Sequence, residues 1–230
     1  MIRFVMIEIK NINKNYGSAI ILKDVCLSVN SGQCVGIVGA NGSGKTTLLS
    51  IISGLLSCDT GSILVDGKVI SDSPKHIAKY ISYVPQENPL IDELTAFDNL
   101  RLWYGGNKAS LNRELEEGIL HQLGIHEFKN KTVSKLSGGM KKRLSIGIAL
   151  LGKPKLLIMD EPSAALDLAG KYKIREYMKS FTSQLGYSII VVSHDQNELS
   201  VCDKLYLLKD SNLQQIETGL DDKTLIELIS

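Results

Sequence analysis

Residues 39–47, GANGSGKTT, combine spaced glycines with a lysine and two adjacent hydroxyls. Residue types at this spacing suit one chemistry above others, the gripping of a phosphate chain. Gly39, Gly42 and Gly44 permit a tight path with backbone N–H groups turned toward an anion. Ala40, Asn41 and Ser43 fill the loop. Lys45 would neutralise β- and γ-phosphates, the Thr46 hydroxyl would ligate Mg²⁺, and Thr47 follows at the helix start. A second set ends the apolar run LLIMDEP. There Asp160 is placed to hold Mg²⁺ through its waters, and Glu161, turned to a different face, to orient an attacking water as general base. A third set, LSGGMKKR at 136–143, raises a question. Ser137, Gly138 and Gly139 before a helical pattern offer orphan N–H donors of their own, so one small chain carries two phosphate grips.

Such groups need rigid elements behind them. Strand-like runs recur at 6–12, 33–39, 81–85, 155–160, 188–193 and 204–209, and two of them, LLIMD and IIVVS, are continuously apolar. Continuous apolarity fits strands buried on both faces, as in a parallel α/β sheet. Helical patterns over 45–56, 139–152 and 168–185 follow the glycine loop, the Gly-Gly pair and Asp167, a plausible N-cap. Between about 88 and 150 strand patterns vanish, and Leu111, Leu115, Ile119 and Leu123 recur at i, i+4, the apolar stripe of one helix. That segment reads as a mainly helical insertion in an α/β core.

Composition narrows the functions. The 230 residues carry 26 basic and 25 acidic side chains, a net charge of +1, which gives no electrostatic reason to expect nucleic acid as a partner. The basic run 141–143 reads as a solvated helix face. Cys26, Cys34, Cys58 and Cys202 are scattered without a CxxC pair, which suits a reducing cytosol. The apolar start MIRFVMIEIK is too short for a signal-peptide core, and no stretch approaches ~18 uninterrupted apolar residues. A membrane role would therefore need another chain to provide the membrane part.

Taken in order, these motifs resemble the nucleotide-binding subunits of ATP-binding cassette (ABC) transporters, and the resemblance covers nearly the whole chain. Tyr16 in KNYG resembles the aromatic residue that stacks on adenine. Gln86 in YVPQE resembles the glutamine that approaches Mg²⁺ at the junction with the helical subdomain. LSGGM resembles the family signature, with Met140 where a glutamine is usual. Asp167 closes SAALD, which resembles the loop that crosses between protomers, and His194 in VVSHD resembles the histidine at the γ-phosphate. Singly, these four residues read as a half-exposed aromatic, a surface amide, an N-cap and a loop-edge imidazole. Their joint order carries the likeness.

The resemblance implies a P-loop NTPase fold in one domain. Residues 1–87 and 151–230 would form the core, with an N-terminal antiparallel β-subdomain, and about 88–150 the helical subdomain. It implies ATP and Mg²⁺ as ligands and two cassettes packed head to tail, this chain with a second copy of itself or with a sibling cassette. Ser137, Gly138 and Gly139 would then grip ATP bound to the partner chain, which answers the question of the second grip. It further implies a separate transmembrane permease and a peripheral place on the cytoplasmic face of the membrane. Segment 93–106 and the short tail after HDQNEL look similar to the exporter-associated branch. A soluble cassette acting in DNA repair or on ribosomes fits poorly with this length and neutral charge. Intact Lys45, Asp160, Glu161 and His194 argue against a cassette that only binds.

Overall fold

The computed structural model describes residues 5–70 and 73–229; the first four residues of the N-terminal apolar stretch lie outside them. The chain opens with a hairpin, β1 (Val5–Tyr16) and β2 (Ala19–Asn30). A two-residue turn joins the strands, with Gly17 at φ 60° and Tyr16 opposite Ala19. With β4 (Thr60–Val65) and β5 (Lys68–Val69) the hairpin forms an antiparallel sheet in the order β2-β1-β4-β5. The second sheet follows the order β10-β9-β3-β8-β7-β6. Five of its strands run parallel: β3 (Cys34–Val38), β6 (Ile81–Val84), β7 (Leu156–Asp160), β8 (Ser188–Val192) and β9 (Lys204–Lys209). β10 (Asn212–Ile216) adds an antiparallel edge.

The continuously apolar strands behave as two-faced strands must. Along β7, Leu156 and Ile158 enter a core shared with the antiparallel sheet. Leu157 and Met159 enter a second core beneath the helices. Ile189 and Val191 of β8 point to the helical core, Ile190 and Val192 to the other. Burying both faces is what removes the polar alternation from these sequences.

The helices are α1 (Lys45–Ile52), α2 (Pro74–Ile77), α3 (Ala96–Trp103), α4 (Lys108–Glu116), α5 (Ile119–Gln122), α6 (Gly138–Leu151), α7 (Leu168–Ser183), α8 (Gln196–Leu199) and α9 (Asp222–Ile229). Two expectations need correction. The 45–56 pattern stops at Ile52, because Gly54 takes the left-handed conformation (φ 77°) and its N–H closes on the Ile51 carbonyl. The 111–123 stripe is no single helix. Gly118 is extended, and the Glu114 carboxylate accepts the Ile119 N–H at 3.0 Å, starting a new turn. The register resets, so Leu111, Leu115, Leu120 and Leu123 are buried while Ile119 is half-exposed. A mid-helix glycine costs about 1 kcal/mol, enough to favour the break. Residues 88–150 hold α3 to α6 and no strand, and their apolar side chains join the core beneath β3, β7 and β8.

Candidate active site

β3 delivers the chain to the glycine loop at the carboxyl edge of the parallel sheet. A Cβ at Gly39 would meet the Leu208 carbonyl oxygen at 2.4 Å, so only glycine lets the loop pass. Gly44, at φ 103°, turns the chain into α1. Lys45 is almost fully buried, and its Nζ donates to the carbonyls of Gly39 (2.7 Å) and Ala40 (2.8 Å). Burial pulls its pKa down, opposed by the charges of Glu161 and Asp160. The lysine thus bridges its own loop. The Ser43 hydroxyl is buried there without a hydrogen-bond partner, a polar atom that a bound phosphate would satisfy.

β7 ends at Asp160, which is buried and accepts a hydrogen bond from the Tyr83 hydroxyl at 3.0 Å. Burial and the Asp160 charge hold the Tyr83 phenol protonated far above its ordinary range. At Glu161 the backbone turns left-handed (φ 46°), a conformation a non-glycine residue adopts only when its surroundings enforce it. The turn swings this carboxylate away from Asp160 to within 3.4 Å of the His194 imidazole, Oε1 to Nε2. Burial raises the Glu161 pKa, and the Asp160 charge raises it further. Burial lowers that of His194, as does Lys45.

Lys45, Thr46, Gln86, Asp160, Glu161 and His194 line one cleft of about 470 Å³. Asn41, Gly42, Gly44 and Thr47 form its loop side, and Ile21 of β2 closes an edge. The oxygen donors of Thr46, Gln86 and Asp160 form a sparse set. Among the described residues no cluster of three His, Cys, Asp or Glu side chains could hold a metal ion alone. Few protein oxygens beside a phosphate grip is the arrangement Mg²⁺ takes, with waters and phosphates completing its shell. The residues therefore fit that ion together with a nucleotide, and not a dedicated metal cage.

The second grip lies elsewhere. Ser137, Gly138, Gly139 and Met140 line a separate cleft of about 360 Å³ with Arg143, Leu166, Asp167 and Lys173. Ser137 caps α6, accepting the Met140 N–H at 3.3 Å, and Asp167 caps α7, accepting the Gly170 N–H at 2.8 Å. Capping satisfies only some of the N–H groups at each helix start. The two clefts share no lining residue. Tyr16 lines neither: it is 52% exposed at the hairpin tip, with the Lys14 ammonium 5.6 Å from its ring centroid. Its strand partner β2 brings Ile21, not Tyr16, into the first cleft.

Sequence reasoning misplaced the basic run. Lys142 is 2% exposed, and burial pushes its pKa down to about 8. Lys141 pairs with Asp92 at 2.8 Å. Arg143 donates to the Leu123 carbonyl at 3.1 Å and stacks over the Phe128 ring. The signal was present: Lys142 shares an i, i+4 row with Ile146 and Leu150, the buried row of α6. Tyr83 was missed as well, since nothing in ISYVP distinguishes a tyrosine that bonds Asp160 from an ordinary strand aromatic.

The family model described as "ABC transporter" matches residues 22–164. The linearmycin resistance ATP-binding protein LnrL of Bacillus subtilis (strain 168) is 36% identical over 220 residues, covering 94% of this chain and 70% of LnrL. The spermidine/putrescine import ATP-binding protein PotA of Spiroplasma citri is 34% identical over 218 residues. That match covers 93% of this chain, which spans only 61% of PotA. Among solved structures, the dimeric post-hydrolysis state of the ATP-binding cassette MJ0796 bound to ADP and Pi superposes with a TM-score of 0.80. It is 30% identical and covers 94% of this chain and 100% of that one.

Proposed function

Because the chain belongs to the ABC transporter family, as an ATP-binding and hydrolysing cassette, we propose that it works as one half of a head-to-tail dimer energising a separate membrane permease. The observation that carries this reading is the separation of the two clefts. One holds a phosphate loop with carboxylates, the other two capped helix starts, and they share no residue. Each is half a site, completed by the opposite half on a second copy. Lys45 and the loop N–H groups would hold the β- and γ-phosphates. Ser137, Gly138 and Gly139 of the facing protomer would close on the γ-phosphate, with Asp167 crossing between subunits.

Thr46, Asp160 and Gln86 would hold Mg²⁺, which when bound neutralises the charge developing on the phosphate oxygens. Glu161 orients the attacking water and accepts its proton. His194 would contact the γ-phosphate, and its Nε2, 3.4 Å from Glu161 Oε1, steadies that carboxylate. Tyr16 would reach an adenine only from the exposed hairpin tip, so we assign it a supporting role. Repulsion between the products helps the dimer reopen.

Among the described residues no helix is long and apolar enough to cross a membrane. We propose that a groove of about 550 Å³ between β6, α3 and α6 receives the permease. Trp103 stands on its rim 56% exposed, an apolar surface ready for a partner. The helical subdomain, about residues 88–150, would then be the part that senses it. Export is our preferred direction, supported by 36% identity to a resistance protein and by segment 93–106. The 34% identity to an import protein supports the second reading, import.

Affinity capture from detergent-solubilised membranes tests the core of this proposal. A stoichiometric multi-helix membrane protein is expected, and ribosomal or DNA-associated proteins alone would overturn it. Reconstituted with the cassette outward, that complex should load vesicles with cargo if it exports and empty them if it imports. A further variant tests the signature. Met140 keeps its cap through its backbone while its side chain packs on the helical core. Met140→Gln is therefore expected to change turnover less than about ten-fold. A change of several hundred-fold, about 3–4 kcal/mol, would give residue 140 a role in the chemistry.

A further inference from the structure

Lys142 is a buried charged group that the mechanism above does not use. Its Nζ donates to two backbone carbonyls, of Pro85 and Gln86, each at 3.0 Å. Those carbonyls follow β6, the edge strand of the six-stranded sheet, whose ladder ends at Val84 opposite Met159. Among the described residues the strand pairing of β6 stops at Val84, and carbonyls leaving a ladder must find donors elsewhere. A methionine at 142 would fill the same space without an ammonium to strip of water. The lysine costs more to bury than a hydrocarbon of its length, and what it delivers is a fixed attachment between two segments far apart in sequence.

Those segments are the ones the catalytic cycle must keep in register. Helix α6 begins at the Ser137 cap, and Lys142 lies four positions after Gly138, about 6 Å along a rigid helix. The other end of the attachment is the backbone of Gln86, a residue that lines the phosphate-loop cleft with Asp160 and Glu161. The negative charges of Asp160 and Glu198 favour a cation at this place, so the strut also sits in the field of the site. We propose that Lys142 is a positioning residue, a strut that ties the Pro85–Gln86 backbone to the helix carrying Ser137, Gly138 and Gly139. Closure of that helix start on a partner's ATP and placement of Gln86 in the chain's own cleft then move together.

This inference rests on the role given above to Gln86, and the test separates the two. Steady-state ATPase of the purified chain is measured for wild type, Lys142→Met, Gln86→Ala and the double variant. Gln86→Ala removes the side chain and leaves the carbonyl that Lys142 binds. Lys142→Met is expected to lower kcat about ten-fold with KM for ATP within about two-fold, and to cost less than about two-fold once Gln86 is alanine. Lys142→Gln, which keeps an N–H donor, is expected to fall between wild type and Lys142→Met, and it carries the same cycle if Lys142→Met does not fold. Losses that multiply in the double variant would show that Lys142 acts apart from Gln86 and overturn the strut. A lowered Tm with unchanged kcat would assign Lys142 to packing alone, with the same consequence. Unchanged turnover in Gln86→Ala by itself would instead remove the role of Gln86, and the strut with it.

Discussion

Glu161→Gln is expected to lower ATP turnover about 10²–10⁴-fold, or about 3–5 kcal/mol of barrier, while ATP affinity stays within a few-fold. The substitution keeps shape and volume and removes the charge that would accept a proton from the attacking water. Two features make this side chain suited to that loss. Its backbone is held left-handed at φ 46°, which aims it away from Asp160 and toward His194. Burial and the Asp160 charge raise its pKa, so the carboxylate is a stronger base than an exposed glutamate would be. With hydrolysis blocked, nothing reopens the dimer. Size-exclusion chromatography with light scattering should find the variant as an ATP-bound dimer and the wild type, after turnover, as a monomer. Turnover near the wild-type rate would remove Glu161 from the chemistry. Blocked turnover without a dimer would leave the base in place and remove the two-cleft reading.

Much of this site was legible because its chemistry is local in sequence. A phosphate grip needs glycines, a lysine and a hydroxyl within nine residues of one another, and GANGSGKTT declares them together. The same holds for Asp160 and Glu161 at the end of an apolar strand. The parallel sheet was legible for a related reason, since β7 and β8 are buried on both faces and show no polar alternation. β2, β4 and β10 escaped because each is half-exposed, and β1 pairs with β2 through several register shifts that scramble any period of two. Lys142 and Tyr83 escaped for a deeper reason. Their partners, the Pro85 and Gln86 carbonyls and Asp160, are 56 to 77 residues away. Backbone carbonyls have no sequence identity to match against. A buried lysine could be suspected from its helical row, but only the fold says what it holds.

Lys45→Ala is expected to raise the Kd for ATP by at least about 100-fold, roughly 3 kcal/mol, and to abolish turnover at millimolar nucleotide. In the structure the ammonium donates to the Gly39 and Ala40 carbonyls, within the loop that would cradle the phosphates. Binding ATP exchanges those neutral acceptors for anionic oxygens, and hydrogen bonds between charged partners are about twice as strong as neutral ones. The exchange therefore favours the bound state with little rearrangement, because the side chain is already buried at the site. Alanine loses the phosphate contacts and also leaves two carbonyls of the loop without their donor, at about 1–3 kcal/mol each if water cannot reach them. The variant should accordingly melt at a lower temperature than wild type even without nucleotide, and should gain no Tm when ATP is added, whereas wild type should gain several degrees. Calorimetric titration and a thermal melt read these effects separately. Tight ATP binding by Lys45→Ala would overturn the assignment of the loop. Weak binding with an unshifted nucleotide-free melt would keep the loop's function but show that Lys45 does not brace it.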